Sequence, residues 1–257
     1  MPRLFSLRNL LSAAAVAAVA AASPAAAGEL TVYGGGAVKA GLTEAAGIYE
    51  RQKGVKVVLE FHPMGPLAKK LEGGARPDVV ILTEEVLLEA ATKGWIAQET
   101  ATEVGRVGIG VAVHAAAPAP DISTPDALKR TLLAAKSIVY IDPARGTSGR
   151  HFAAVLDLLG IAGAVKRKTT LGTGGAVVEP VGRGEIELGV HQITEILPVK
   201  GVKLVGPLPA PLQKETVYVG AVTAGARNRN DAIGLLQFLR APETRALFVR
   251  KGFIEAP

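Results

Sequence analysis

The sequence predicts an α/β protein of two lobes with a ligand cleft between them. Short apolar runs of strand length alternate along the chain with segments patterned as amphipathic helices, which is typical of layered α/β folds. Two stretches rich in Pro and Ala interrupt this alternation and divide it into parts. With 49% hydrophobic and 20% charged residues, the 257-residue chain can bury a core, so disorder is excluded as its main state.

The N-terminal segment predicts export and not a part of the fold. Arg3 and Arg8 precede an apolar stretch rich in Ala, and small residues lead up to Ala27. A basic start, an apolar centre and a small-residue end are typical of a secretory signal peptide. We therefore expect residues 1–27 to be cleaved and the mature chain to begin at Gly28.

Charge and cysteine content exclude several classes of protein. Cleavage would remove Arg3 and Arg8 and no acid, leaving 27 basic and 23 acidic residues, a net charge of +4. These charges are scattered, so no nucleic-acid partner is expected. The absence of cysteine excludes disulfides, thiol catalysis and Cys-ligated metals. Because no cysteine is available for a lipid anchor, we expect a free periplasmic monomer in a Gram-negative cell, without a stable membrane anchor.

Eight apolar runs, rich in Val, Ile and Leu, have the length of β-strands. Because helical segments separate them, mostly parallel sheets are expected. The predicted strands are Leu30–Tyr33, Val55–Phe61, Val79–Leu82, Val107–Val113, Ile138–Ile141, Ile186–Val190, Val202–Val205 and Val217–Val222.

Start and stop signals mark several of the helices between these strands. Thr83 before two glutamates, and Thr124 before Pro125, are typical of helix N-caps. Gly94 and Gly160 are typical of helix ends. The predicted helices are Val38–Lys53, Leu67–Glu72, Glu84–Lys93, Pro125–Ala135, Arg150–Leu159, Ala176–Gly182 and Asp231–Leu239.

The lobe boundaries follow from the two linker-like stretches. Ala115–Pro120 and Pro207–Pro211 lie beside the apolar runs Val107–Val113 and Val217–Val222. If both runs cross between lobes, residues 28–112 and 218–257 form one lobe and residues 113–217 form the other. A ligand would then lie where the carboxyl ends of strands meet.

Four segments carry a family resemblance by their order and spacing. They are Leu30–Ala37 (LTVYGGGA), Tyr49–Val57 (YERQKGVKV), Leu67–Ala75 (LAKKLEGGA) and Pro77–Ile81 (PDVVI). Together they resemble the periplasmic substrate-binding proteins of ABC transporters, in the molybdate-binding-protein-like branch with the type II periplasmic binding protein fold. The resemblance implies two α/β lobes joined by two crossing hinge strands, closure on a small ligand, and an ABC permease as partner.

The chain departs from this pattern where the family contacts its ligand. Members that bind molybdate carry hydroxyl residues after the first and second strands, and a Val-Tyr pair in the second lobe. The corresponding stretches here are Gly34–Ala37, His62–Pro66 and Gly189–Gln192. These differences favour a small organic anion, with a di- or tricarboxylate as the best single choice, and leave molybdate or tungstate as an alternative.

Four turns are expected to face the cleft, each followed by a predicted helix whose N-terminal N–H groups attract anions. They are Gly34–Ala37, His62–Gly65, Gly146–Arg150 and Gly172–Ala176. Arg150 offers a fork for a carboxylate. No cofactor and no metal site are predicted. The predicted ligand-binding residues are Gly35, Gly36, Ala37, Met64, Gly65, Thr147, Ser148, Gly149, Arg150, Gly174, Gly175, His191 and Gln192.

Two other functions stay open beside transport. Relatives of this branch include a periplasmic aconitate isomerase, and on that hypothesis His191 or His62 would shuttle a proton, with Glu195 orienting His191. The other is a periplasmic binder outside transport, such as a sensor or interaction protein. The binding role is favoured over the enzyme.

Overall fold

The computed structural model describes residues 28–255 as ten strands and ten α-helices. The predicted signal peptide, residues 1–27, lies outside the described residues. The strands are β1 (Glu29–Gly35), β2 (Lys56–His62), β3 (Val79–Thr83), β4 (Thr102–Val107), β5 (Ile109–His114), β6 (Ile138–Ile141), β7 (Thr169–Gly172), β8 (Leu188–Gln192), β9 (Val202–Pro207) and β10 (Thr216–Val222).

The helices cover the faces of the sheets. They are α1 (Lys39–Lys53), α2 (Met64–Glu72), α3 (Glu84–Thr92), α4 (Pro125–Ala134), α5 (Thr147–Leu158), α6 (Ala162–Lys166), α7 (Glu179–Gly182), α8 (Ile193–Ile196), α9 (Arg229–Arg240) and α10 (Pro242–Arg250). Among the described residues, none of these helices combines the length and apolarity that a membrane crossing requires.

The strands form two five-stranded sheets, which we call the sheets of the first and second lobes. The first has the order β2-β1-β3-β10-β4 and the second the order β7-β6-β8-β5-β9. In each sheet one strand is antiparallel to the other four: β10 in the first sheet and β5 in the second. It is the strand by which the chain enters from the other lobe. The predicted α/β class, with mostly parallel strands in two lobes, is confirmed.

The first crossing between the sheets lies at Gly108. The apolar run Val107–Val113 was expected to be one strand, but β4 ends at Val107 and β5 begins at Ile109. The predicted boundaries, after residue 112 and before residue 218, lie four and two residues from the points where the chain changes sheets. The run has two glycines, Gly108 and Gly110, and only the first lies at the break, so the glycines alone did not locate it.

Several helix ends differ from the prediction. Helix α2 begins at Met64 and α5 at Thr147, three residues earlier than expected, while α7 has only four residues. The Thr124 side chain caps α4 by accepting from the Ala127 N–H, as its sequence predicts. Thr83 precedes α3 without a side-chain cap, because its hydroxyl is buried without a partner. Strand β7 was missed, since its TTLG sequence carries little apolar signal.

Each lobe has its own apolar core on its own sheet. In the first lobe Val32, Leu42 and Phe248 are fully or almost fully buried in one cluster. In the second lobe Ile138 and Phe152 occupy the equivalent cluster. Because each sheet buries side chains against its own helices, each lobe keeps its shape independently of the space between them.

The two crossings are tied together by one side chain. The Gln213 amide oxygen accepts from the Ile109 N–H at 3.0 Å, and its nitrogen donates to the Ile109 carbonyl at 2.8 Å. Gln213 thereby supplies, on the returning segment, the pair of hydrogen bonds that a neighbouring strand would give. The two connecting segments are therefore held side by side by this one side chain.

Asp78 performs a similar role inside the first lobe. Its buried carboxylate accepts hydrogen bonds from the Thr31 N–H and hydroxyl and from the N–H groups of Arg227 and Asn228. Burial alone would raise the pKa of this carboxyl, but the four donors outweigh it and the pKa is lowered. Asp78 thus joins β1 and β3 to the segment that leads into α9.

We expect Asp78→Asn to lower the free energy of unfolding by roughly 2–3 kcal/mol at neutral pH, because an amide group would face N–H donors. Since the folded-state pKa is depressed, this stabilisation is complete above the ordinary Asp pKa and is lost as the pH falls through the lowered value. Urea unfolding at neutral and acid pH measures both effects. The exposed variant Asp157→Asn is the control, and an equal loss in both variants would contradict the assignment.

Candidate functional site

A cavity of about 910 Å³ lies between the two lobes. It opens at the carboxyl ends of β1, β2, β6 and β8, which bring their following turns to the same place. Its volume is within the usual range for sites that hold small organic ligands.

Helix N-termini face this cavity from both lobes. Met64 begins α2 and Thr147 begins α5, and both line it. A short 3₁₀ turn, Gly36–Val38, leads into α1 at Lys39 in the first lobe, which also carries Met64. The first N–H groups of a helix lack partners within the helix and carry partial positive charge, so these ends favour an anion.

The fourth predicted helix start is wrong. After the turn Gly172–Ala176, α7 begins only at Glu179 and is four residues long. The backbone reaches it through two glycines with positive φ, 125° at Gly174 and 69° at Gly175, which carry the chain into a loop instead of a helix. Gly175 lines the cavity without a helix dipole behind it.

The structure brings eight of the predicted ligand-binding residues to the cavity wall. All are on strand ends, on the turns that follow them, or in the first turn of α2 or α5. They are Gly35, Gly36, Met64, Thr147, Ser148, Gly175, His191 and Gln192, and His62 joins them.

The other five predicted residues lie outside the lining. Ala37 is buried in the core of the first lobe. Gly65 and Gly174 instead hold the lobes against each other: the Gly65 N–H donates to the Arg145 carbonyl at 3.1 Å, and Gly174 packs on Pro63.

Gly149 and Arg150 have different neighbours from those predicted. Gly149 lies so close to the Ile141 carbonyl that any side chain would collide with it. The Arg150 side chain is 60% exposed, and its Nη1 lies 2.8 Å from Glu85 Oε1 of the first lobe. Arg150 comes two residues after Ser148, so it occupies another face of α5 and points away from the cavity. Its fork serves an ion pair between the lobes.

His191 is the most buried ionisable group in the lining, with 2% of its side chain exposed. Its Nδ1 lies 3.1 Å from Ser148 Oγ. Its Nε2 has no hydrogen-bond partner among the described residues, although Glu195 Oε1 lies 3.5 Å away. The predicted proximity of Glu195 to His191 is therefore present, at ion-pair distance.

Two more buried polar atoms lie beside His191 without partners. Gln192 donates from Nε2 to Thr216 Oγ1 at 3.1 Å, while its Oε1 is unpaired. Thr194 Oγ1 is unpaired as well. Buried polar groups nearly always have partners, so this concentration within four residues marks a part of the cavity where a bound ligand or water can supply them.

Tyr218 adds a neutral hydroxyl from the first lobe. Its ring packs beneath Gly35 and lines the cavity. Burial, and then the negative charge of Glu195, raise its pKa far above the usual value, so it stays protonated. It can donate a hydrogen bond to a ligand at any physiological pH.

His62 stands at the end of β2, on the opposite wall from His191. Its Nε2 lies 3.2 Å from Glu60 Oε2, and its ring stands edge-on to Tyr33 at 6.0 Å between centroids. Among residues 28–255, no group of three or more His, Asp or Glu side chains is arranged to hold a metal ion.

Two lysines that sequence analysis missed line the cavity. Lys39 lies at the start of α1 and Lys200 follows α8, one from each lobe. Neither has an ion pair within the described part of the chain, whereas Arg183 pairs with Glu179 and Glu44 with Lys251. Lys39 could have been found from its position directly after the glycine turn. Nothing local identifies Lys200.

Comparison with known proteins gives consistent matches. The profile of the bacterial extracellular solute-binding protein family matches residues 30–254. An aconitate isomerase of a Pseudomonas species is 31% identical over 234 residues, covering 89% of this chain and 88% of that protein. The molybdate-binding protein ModA of Escherichia coli (strain K12) is 28% identical over 231 residues, covering 88% of this chain and 89% of that protein.

A solved structure supports the same fold. The periplasmic molybdate-binding protein of Azotobacter vinelandii superposes with a TM-score of 0.76 at 16% identity, covering 89% of this chain and 100% of that chain. The predicted resemblance to molybdate-binding-protein-like solute-binding proteins is confirmed. The chain belongs to the family of bacterial extracellular solute-binding proteins.

Proposed function

We propose that this protein is a periplasmic receptor that binds a small di- or tricarboxylate in its cleft and delivers it to an ABC permease. The observation that carries this proposal is the pair of lysines without ion pairs, Lys39 and Lys200, on opposite lobes of one cavity. A ligand with two or more separated negative charges would bind both lysines and hold the lobes together.

The remaining lining suits an organic anion. Helix N-termini at Met64 and Thr147 supply N–H donors, and the side chains of Phe61 and Ile141 supply apolar surface. Small-molecule sites typically combine apolar walls with a few oriented polar groups. A tetrahedral oxyanion has no carbon skeleton that could pack against the apolar surface of the cavity. The hydroxyls of Thr147 and Ser148, and the 28% identical molybdate-binding relative, support the oxyanion alternative.

We expect millimolar citrate, propane-1,2,3-tricarboxylate or succinate to raise the melting temperature, because a ligand that binds only the folded state stabilises it by mass action. Thermal unfolding with each carboxylate, and with molybdate, tungstate and sulfate as alternatives, measures this. A larger shift with molybdate or tungstate than with every carboxylate would overturn the proposed ligand class.

We expect Lys39→Gln and Lys200→Gln each to weaken carboxylate binding by about tenfold, because each removes one charged hydrogen-bond donor. Isothermal titration calorimetry measures the affinities. Lys166→Gln, at an exposed position on α6, is the matched control and should leave the affinity unchanged. Equal affinities in all three variants would show that the two lysines do not hold the ligand.

A second function has its own support. The Pseudomonas relative named aconitate isomerase is 31% identical, and the unpartnered Nε2 of His191 faces the same cavity. Interconverting the cis and trans forms of this unsaturated tricarboxylate requires removal of a proton from carbon at one end of an allylic unit and return of a proton at the other. His191 is suited to carry that proton, and His62 is the other candidate.

If the protein is an isomerase, His191→Asn should lower kcat by about 100-fold or more while Kd changes only a few-fold. NMR integration of cis- and trans-aconitate over time measures the rate, and His114→Asn, outside the cavity, is the control. Absence of conversion by the wild type above background would exclude this function for aconitate. Loss of activity in His62→Asn alone would move the proton-transfer role to His62.

A further inference from the structure

The inner wall of the cleft, on residues 191–195, consists mainly of unpaired hydrogen-bonding groups. The buried atoms without partners are His191 Nε2, Gln192 Oε1 and Thr194 Oγ1. Beside them lies the Glu195 side chain, which is only 14% exposed. We call these four side chains the inner wall: ionised Glu195 and the amide oxygen of Gln192 can only accept hydrogen bonds, whereas the Thr194 hydroxyl can also donate.

Glu195 is held in place across the cleft. Its carboxylate lies directly against Gly36 of the first lobe, where even a methyl group would collide with Oε1. The backbone of α8 packs on the turn Gly36–Val38 in the same region. Gly36 therefore makes room for this carboxylate at the point where the two lobes meet.

The charge of Glu195 has few partners. Among the described residues its ion-pair contact is His191 Nε2 at 3.5 Å, and it has no lysine or arginine partner. A largely buried carboxylate without a close donor carries a desolvation cost that a new hydrogen-bond donor would offset.

A carboxylate ligand increases this cost. It brings only acceptor atoms and a second negative charge to the same wall. In the tautomer in which Ser148 donates to Nδ1, His191 has one N–H on Nε2, and this single hydrogen cannot serve Glu195 and a ligand carboxylate fully. Two carboxylates that share a site disfavour double ionisation, and one of them, or the histidine between them, takes a proton.

We propose that the His191–Glu195 pair takes up one proton from solution each time a carboxylate ligand binds, so that capture of the anion is coupled to protonation. This inference rests on the proposed carboxylate-binding function and adds the regulation of the same site by pH. The proton is assigned to the pair and not to one residue, because His191 Nε2 and Glu195 Oε1 lie 3.5 Å apart. No bond other than the O–H or N–H bond of that proton is made or broken.

The other ionisable groups around the cavity do not replace this pair. On the side of β10, Tyr218 remains protonated because burial and Glu195 raise its pKa. On the side of α5 the neighbour is the uncharged Ser148 hydroxyl. The remaining charged groups are more distant parts of the lining: Lys39 and Lys200 without ion pairs, His62 with Glu60, Glu44 with Lys251, and Glu179 with Arg183.

Calorimetry in buffers of different ionisation enthalpy tests the proposal. The probe is propane-1,2,3-tricarboxylate, which cannot isomerise, at about pH 8, where the carboxyls of the free ligand are ionised. Succinate replaces it if only the dicarboxylate binds. We expect the slope of the observed binding enthalpy against the ionisation enthalpy of the buffer to correspond to about one proton taken up per ligand. The affinity should fall about tenfold for each unit by which the pH is raised.

The matched variant is Glu195→Gln, whose amide supplies its own donor. Its proton uptake should fall to near zero and its affinity should become independent of pH, whereas the exposed Glu89→Gln should behave as wild type. Binding with no proton uptake by the wild type overturns this inference and leaves the proposed function intact. Absence of binding by any carboxylate overturns the proposed function and the coupling together.

If Glu195→Gln does not fold, the buffer and pH dependence of the wild type still decide the proposal.

If Glu195→Gln folds, proton uptake that disappears in His62→Gln and persists in Glu195→Gln would place the proton on the opposite wall. That result would also overturn the assignment to the His191–Glu195 pair.

Discussion

The cleft depends on how two separate sheets are joined by two short segments of the chain. The chain changes sheets at Gly108 and returns before Thr216, and the Gln213 side chain ties these two segments through both backbone groups of Ile109. A side-chain amide reproduces strand pairing where no strand can continue. Each lobe has its own apolar core, so this junction and the contacts across the cleft set the space between them.

The walls of that space have different chemistry, and their combination restricts the ligand. Lys39, Lys200 and the helix ends at Met64 and Thr147 favour negative charge. The wall around His191 adds the Glu195 carboxylate to the same cavity, beside the hydroxyls of Thr194 and Tyr218. Under the proposed coupling, an anion binds both walls when the His191–Glu195 pair takes up a proton. Recognition of the ligand's charge is then linked to the protonation state of the site.

Arg150 shows why residue type alone did not identify the site. An arginine near a predicted helix start suggests carboxylate binding, but its position on α5 turns it outward to Glu85. Gly65 and Gly174 were also expected to contact the ligand, and both instead pack between lobes. Residues at the edge of a cleft have two sets of neighbours, so short-range pattern cannot separate ligand contacts from lobe contacts.

By itself the sequence determined the α/β class, eight of the ten strands to within two residues at both ends, and the turns that face the cavity, because period, length and turn residues are local properties. Through the family resemblance, it also indicated His191 and Gln192 as ligand-binding residues. Only the tertiary structure decided that Gly108 splits an apolar run, that Lys200 reaches the cavity, and that Glu195 lies between His191 and Gly36. Those outcomes depend on packing between segments far apart in the chain, which no local pattern encodes.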